Sequence, residues 1–187
     1  MKHKKLLLCV IAMICTLAVG VGVTLAYFSS HAGPLLNTFT VGDVTLTLTE
    51  TTGEDYRMTP GTAVKKDPLV TVKGGSEECY VYVKLERPNN LDNYVTYTLA
   101  DGWTLLGGFD GVYYRLVEHS AVDKHYPVLK DDQILIKTNL TKEKMAAIDT
   151  SAPPQMKITA YAIQTLEIES ASDGWYNLMA EYGSNGQ

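Results

Sequence analysis

The residues of this chain best suited to chemistry are its histidines, its carboxylates and one cysteine, and their spacing decides what they could do. Glu118 to His125 reads EHSAVDKH and gathers two imidazoles with two carboxylates. A zinc hydrolase needs two histidines four apart on one helix face with a glutamate between them. His119 and His125 stand six apart in a turn-rich connection, which predicts two surface histidines, and His31 stands alone. No Gly-x-Ser-x-Gly elbow is present to expose a nucleophilic serine. Cys79 follows Glu77 and Glu78, whose charges raise a thiol pKa instead of lowering it. It lies in the strand-like run ECYVYVKLE, where a cysteine is expected to behave as a small buried hydrophobe. Gly74-Gly75 and Gly107-Gly108 lead into strand-like runs, so neither opens a helix that could cradle phosphate. DKHYPVLKDD lacks the ligand spacing of a calcium loop. Asn139-Leu140-Thr141 is a glycosylation sequon, which matters only in a host that modifies such sites. No catalytic residue, metal or cofactor is expected, and the chain reads as a non-enzyme.

The elements that would position these groups have a period of two. VTLTLT sets Val44, Leu46 and Leu48 against Thr45, Thr47 and Thr49, and CYVYVKLE sets Val81, Val83 and Leu85 against Tyr80, Tyr82 and Lys84. YVTYTLADGWTLL predicts a hairpin about Asp101-Gly102, a dipeptide suited to positive φ. VYYRLV, ILIKTNL and MKITAYAIQ complete the series, with a polar connection from Glu118 to about Lys124. Short alternating runs with turn residues between them predict an all-β fold, an antiparallel β-sandwich. Two helices interrupt it. TKEKMAAID, Thr141 to Asp149, predicts a short one in a connection. SDGWYNLMAEYG places Trp175, Leu178, Met179 and Tyr182 at helical spacing, with Trp175 as the plug that seats a C-terminal helix on the sheet. Trp103, Tyr113 and Tyr114 form a ligand-binding face if they share one exposed side of the sheet.

The N-terminus predicts export. Lys2, Lys4 and Lys5 precede an uncharged run from Leu6 to Ala26, long enough to span a membrane but diluted by Gly20, Gly22 and Thr24. Thr24 and Ala26 offer small residues at −3 and −1 of a cleavage point before Tyr27, so residues 1–26 read as a cleaved signal and not as a lasting membrane anchor. Cleavage leaves 161 residues, moves the formal charge from −5 to −8, and removes Cys9 and Cys15, so Cys79 has no partner for an internal disulfide. An exported acidic chain is a poor ligand for nucleic acid. The mature segment 27–38 is too apolar for a solvated tail, carrying Tyr27, Phe28, Leu35 and Leu36, yet Gly33-Pro34 denies it a regular period. Such a segment, ending at Thr38, can add as a strand to an exposed sheet edge, in its own fold or in a neighbour. The organisation predicted is a signal over 1–26, a donor segment over 27–38 and a β-sandwich domain over 39–187.

GVGVTLAYFSS followed by NTFTVGDVTLTLTE resembles the secreted TasA and camelysin family of Gram-positive biofilm-matrix fibre proteins, exported through a SipW-type signal peptidase. YRMTPGTAVKKDPLVTVKGGSEECYVYVKLE, Tyr56 to Glu86, is similar to that family's Pro-Gly turn, Lys-Asp-Pro and following strand, and ITAYAIQ with Trp175 to its C-terminal end. Asn89 to Ala152 carries no motif of the family. The resemblance implies a jelly-roll sandwich and a secreted structural subunit of an extracellular fibre. It also implies donor-strand complementation with copies of itself or related matrix proteins, through the mature N-terminal segment. Pro60-Gly61 is expected to turn the chain, and Lys65, Lys66 and Asp67 to be a solvated turn without chemistry. Some members are described as metalloproteases, but this chain lacks the histidine pair such a site needs. The alternatives are a cell-surface adhesin or carbohydrate-binding module on the same sandwich, and a camelysin-like surface protease.

Overall fold

The computed structural model describes residues 36–52, 59–149 and 151–183. The expected signal, its cleavage residues Thr24, Ala26 and Tyr27, and the donor residues Phe28 and Leu35 lie outside these, as do Tyr56 to Met58 of the family-like block.

The fold is all-β, with eleven strands in three sheets among the described residues. The five-stranded sheet has the order β1 (Leu36–Val41), β11 (Lys157–Gln164), β5 (Cys79–Glu86), β8 (Val112–Val117), β7 (Thr104–Leu105). One three-stranded sheet runs β3 (Ala63–Lys65), β10 (Gln133–Ile136), β6 (Val95–Thr96), and the other runs β2 (Leu46–Thr49), β4 (Leu69–Val72), β9 (Lys124–Pro127). All the pairings are antiparallel except that of β1 with β11, which is parallel.

Alternation along the strands builds two cores. One face of β5 and β11 (Val81, Val83, Leu85, Ile158, Ala160 and Ala162) packs against Leu46, Leu48, Val70, Val72, Ile134 and Ile136 of the two smaller sheets. Cys79 is fully buried in this core, and burial pushes its thiol up to about 12, the inert state expected of it. The opposite face carries Tyr82, Val112 and Ile163 and is covered by Trp175 and Leu178 of a C-terminal helix. That helix, α2, spans Ala171–Gly183, while the connection helix α1 spans Lys142–Ala146 with Thr141 accepting the Lys144 N–H at its start. Both helices lie where the sequence places them. No helix among the described residues is long and apolar enough to cross a membrane.

Three expectations are corrected. Asp101-Gly102 is a turn, with Gly102 at φ +87°, but β6 before it pairs with β10 and β7 after it pairs with β8. The dipeptide therefore passes the chain between sheets and closes no hairpin. The polar connection from Glu118 ends at Lys124 as expected, but an unforeseen strand, β9, begins there; its polar KHYP sequence sits at a sheet edge and is largely exposed, so no apolar alternation marks it.

The third correction concerns Lys65-Lys66-Asp67, of which only Lys65 is solvated. Lys66 is 3 % exposed, and its ammonium lies 3.0 and 2.9 Å from the two carboxylate oxygens of Glu50. Asp67 accepts from the N–H groups of Thr51 and Thr52, each at 2.9 Å, and from both threonine hydroxyls. Burial pushes the Asp67 pKa up, but these hydrogen bonds outweigh it and hold the carboxyl well below the usual carboxylate range. A depressed carboxylate pKa stabilises the fold above its unfolded value of about 4, and that contribution fades as pH falls below it. Asp67→Asn is therefore expected to cost about 1–3 kcal/mol at neutral pH. The gap to the parent should close progressively below about pH 4 in urea titrations; a gap unchanged at about pH 3 would contradict the assignment.

Candidate functional site

The candidate catalytic groups are held apart. His119 donates from Nδ1 to the Ser76 carbonyl at 2.9 Å, while His125 on β9 hydrogen-bonds the Thr71 hydroxyl at 2.9 Å. Among the described residues no three His, Cys, Asp or Glu side chains are grouped to hold a metal ion. Two other features remain among the described residues, a sheet edge and a cleft.

The edge is β1. It ends the five-stranded sheet, and its register runs Leu36 to Ile158 through Val41 to Ile163. Leu36 and Thr38, the described members of the expected assembly segment, thus continue without a break into Phe39–Val41, and the boundary expected at 38/39 falls inside one strand. The manner of attachment changes there. Phe39 stacks on Tyr161 at 5.2 Å and meets Tyr182 at 4.8 Å, and the Tyr182 hydroxyl donates to the Thr40 carbonyl at 2.5 Å. Thr38 is exposed. The second half of β1 is therefore pinned by rings and by α2, while Thr38, at the end of the first half, is left in solvent.

The cleft lies where β6 and β7 end their sheets. It is open, about 630 Å³ in volume, and its lining includes the segment 95–103 on one side and Arg87, Asp92, Tyr113 and Lys137. The three aromatics singled out in the sequence do not share it. Trp103 and Tyr113 line the cleft and pack on the first core, but Tyr114 packs with Tyr80 and Tyr82 in the second. Adjacent residues of a strand point to opposite faces, so the Tyr113-Tyr114 pair had to be divided. The Trp103 ring is fixed from behind: its indole N–H donates to the Pro127 carbonyl at 2.8 Å, and the Arg115 guanidinium lies 5.1 Å from its centroid and 4.0 Å from that of Tyr126. Gly102 gives Arg115 room, since a Cβ there would overlap its guanidinium.

Arg87, Asp92, Tyr97 and Lys137 went unnoticed in the sequence. Asn89 and Asn90 both adopt φ +58°, a left-handed conformation that Asn tolerates better than most residues. This double turn after β5 folds Asp92 back to Arg87 at 3.4 Å, while Asp110 holds the other side of the guanidinium at 2.7 Å. Lys137 donates to the Asp92 carbonyl. Burial pushes the Tyr97 hydroxyl pKa up, opposed by the nearby Arg87 charge. The Arg-Pro-Asn-Asn run was the available signal, although it marks only the turn. No family model, curated protein or solved structure matches the chain.

Proposed function

We propose that this chain is a secreted structural subunit of an extracellular fibre, polymerising when the 27–38 segment of one copy adds to the sheet edge of the next. The observation that carries the reading is the place of β1. Residues 36–38 of the segment belong to an edge strand whose partner among the described residues is a parallel β11. Parallel pairing is slightly weaker per residue than antiparallel pairing, so each residue of this ladder is held less firmly than in the antiparallel ladders beside it. An edge vacated by this segment in one copy fits the same segment from another, and such a head-to-tail contact propagates into a filament when the rotation does not close. The TasA and camelysin resemblance supports the same reading, with its jelly-roll sandwich, its signal over 1–26 and its partners drawn from like subunits. In this reading the chain performs no catalysis and its place is the cell surface or matrix.

Negative-stain microscopy of residues 27–187 beside a chain beginning at Phe39 tests the proposal. Filaments from the first and monomers from the second are the expected result. Because the shorter chain cuts β1, the full mature chain carrying Phe28→Asp and Leu35→Asp provides a second comparison and should also remain monomeric. Monomers from the unaltered mature chain, or filaments from all three, would overturn self-assembly through this segment.

A further inference from the structure

The cleft between 95–103 and Arg87 has no part in the assembly reading. Its rings, Tyr97, Trp103 and Tyr113, are anchored, with Trp103 held by the Pro127 carbonyl and backed by Arg115. Its lining charges balance, Arg87 and Lys137 against Asp92 and Asp101. Arg87 stands between Asp92 and Asp110, and Lys137 is turned to the Asp92 carbonyl. An anionic ligand would have to displace those carboxylates from Arg87, and a cationic one would meet Arg87 and Lys137. A neutral ligand avoids both conflicts. The paired groups still offer donors and acceptors to hydroxyls, as do the exposed hydroxyls of Thr96 and Thr98 on the same wall. Backbone groups add to these. Thr98 and Ala100 bond Lys130 and Val128 about the Leu99–Leu129 bridge, which turns the N–H and C=O of Leu99 away from that partner strand. Flat apolar rings beside matched polar groups fit a sugar, which presents one C–H face and a rim of hydroxyls.

We infer that this cleft binds a neutral polysaccharide, with Trp103 as the stacking platform and Arg87, Asp92 and Thr98 as hydroxyl partners. Such a site would let an extracellular protein hold a glycan as well as its own kind. It does not depend on the fibre reading, because no residue of β1 lines the cleft.

Affinity electrophoresis of the mature chain, at concentrations where light scattering shows a monomer, is the test. Gels would contain hydroxyethylcellulose, laminarin or dextran, with acidic alginate for comparison. Retardation by at least one neutral polymer and not by alginate is expected, at least about tenfold weaker for Trp103→Ala. Thr98→Arg, which obstructs the cleft from an exposed position, should weaken it likewise, and Tyr176→Ser, altering an exposed ring on α2, should not. No retardation in any neutral gel, or retardation unchanged in both cleft variants, would overturn the inference. So would binding of a synthetic 27–41 peptide to the mature chain, lost in Thr98→Arg, with no polysaccharide binding, since the cleft would then accept a strand.

Discussion

Lys66→Ala is expected to lower unfolding free energy by about 3–5 kcal/mol, the cost of removing one partner from a buried ion pair. The side chains of Lys66 and Glu50 are 4 % and 1 % exposed, so water can do little to replace the lost ammonium. The location enlarges the effect. Glu50 follows β2 and Lys66 follows β3, strands of different three-stranded sheets, so the pair ties the ends of both over the first core. For a domain with a total stability of about 5–15 kcal/mol the loss is a large fraction. Glu50→Leu with Lys66→Met removes both charges at similar volume and should recover most of the loss. Urea unfolding of the single and double variants measures this directly. A single-variant cost under about 1 kcal/mol would mean that the pair behaves like an exposed one.

That pair also shows where a reading of sequence stops. Strand faces were legible because they depend on neighbours two residues away: CYVYVKLE buries Val81 and Val83 on one side and turns Tyr80 and Tyr82 to the other. The stripe of Trp175, Leu178, Met179 and Tyr182 was legible for the same reason at helical spacing. Partners distant in sequence were not. Lys66 beside Lys65 and Asp67 looks like a solvated turn until Glu50, sixteen residues back, is brought against it. Asp101-Gly102 has the residues of a hairpin, yet β10 and β8 claim the two flanking strands separately. The cleft is the extreme case, since Arg87, Trp103 and Lys137 meet only after three sheets have formed. Each of its residues has an ordinary local setting, so no spacing rule could have assembled them.

Trp175→Ala is expected to cost about 3–5 kcal/mol and to loosen α2 from the sheet. Trp175 is 2 % exposed, with its ring centroid 5.1 Å from Tyr161, 5.3 Å from Tyr82 and 6.2 Å from Phe109. The helix is shaped to sit this close. Tyr82 donates its hydroxyl to the Ala171 carbonyl at 2.7 Å, and a Cβ on Gly174 would overlap that same hydroxyl, so glycine stands where helix propensity alone would favour alanine. Removing the indole leaves a cavity between two tightly apposed surfaces, and neither can collapse into it without breaking the Tyr82 bond. Thermal unfolding and amide exchange check the prediction: lower global stability, with the largest loss of protection in 171–183. Unchanged protection there would show that Leu178 and the Tyr82 bond suffice to dock the helix. The consequence for assembly is specific. Tyr182 on α2 pins the second half of β1 through Thr40, so a loosened helix removes one anchor of that strand, leaving it on β11, and uncovers the face carrying Tyr82 and Ile163. A fibre grown by orderly exchange of 27–38 requires that pin to hold while the first half of β1 peels away. Trp175→Ala should therefore replace filaments by amorphous aggregate in the microscope; regular filaments from this variant would mean that strand exchange proceeds without the anchor at Phe39 and Thr40.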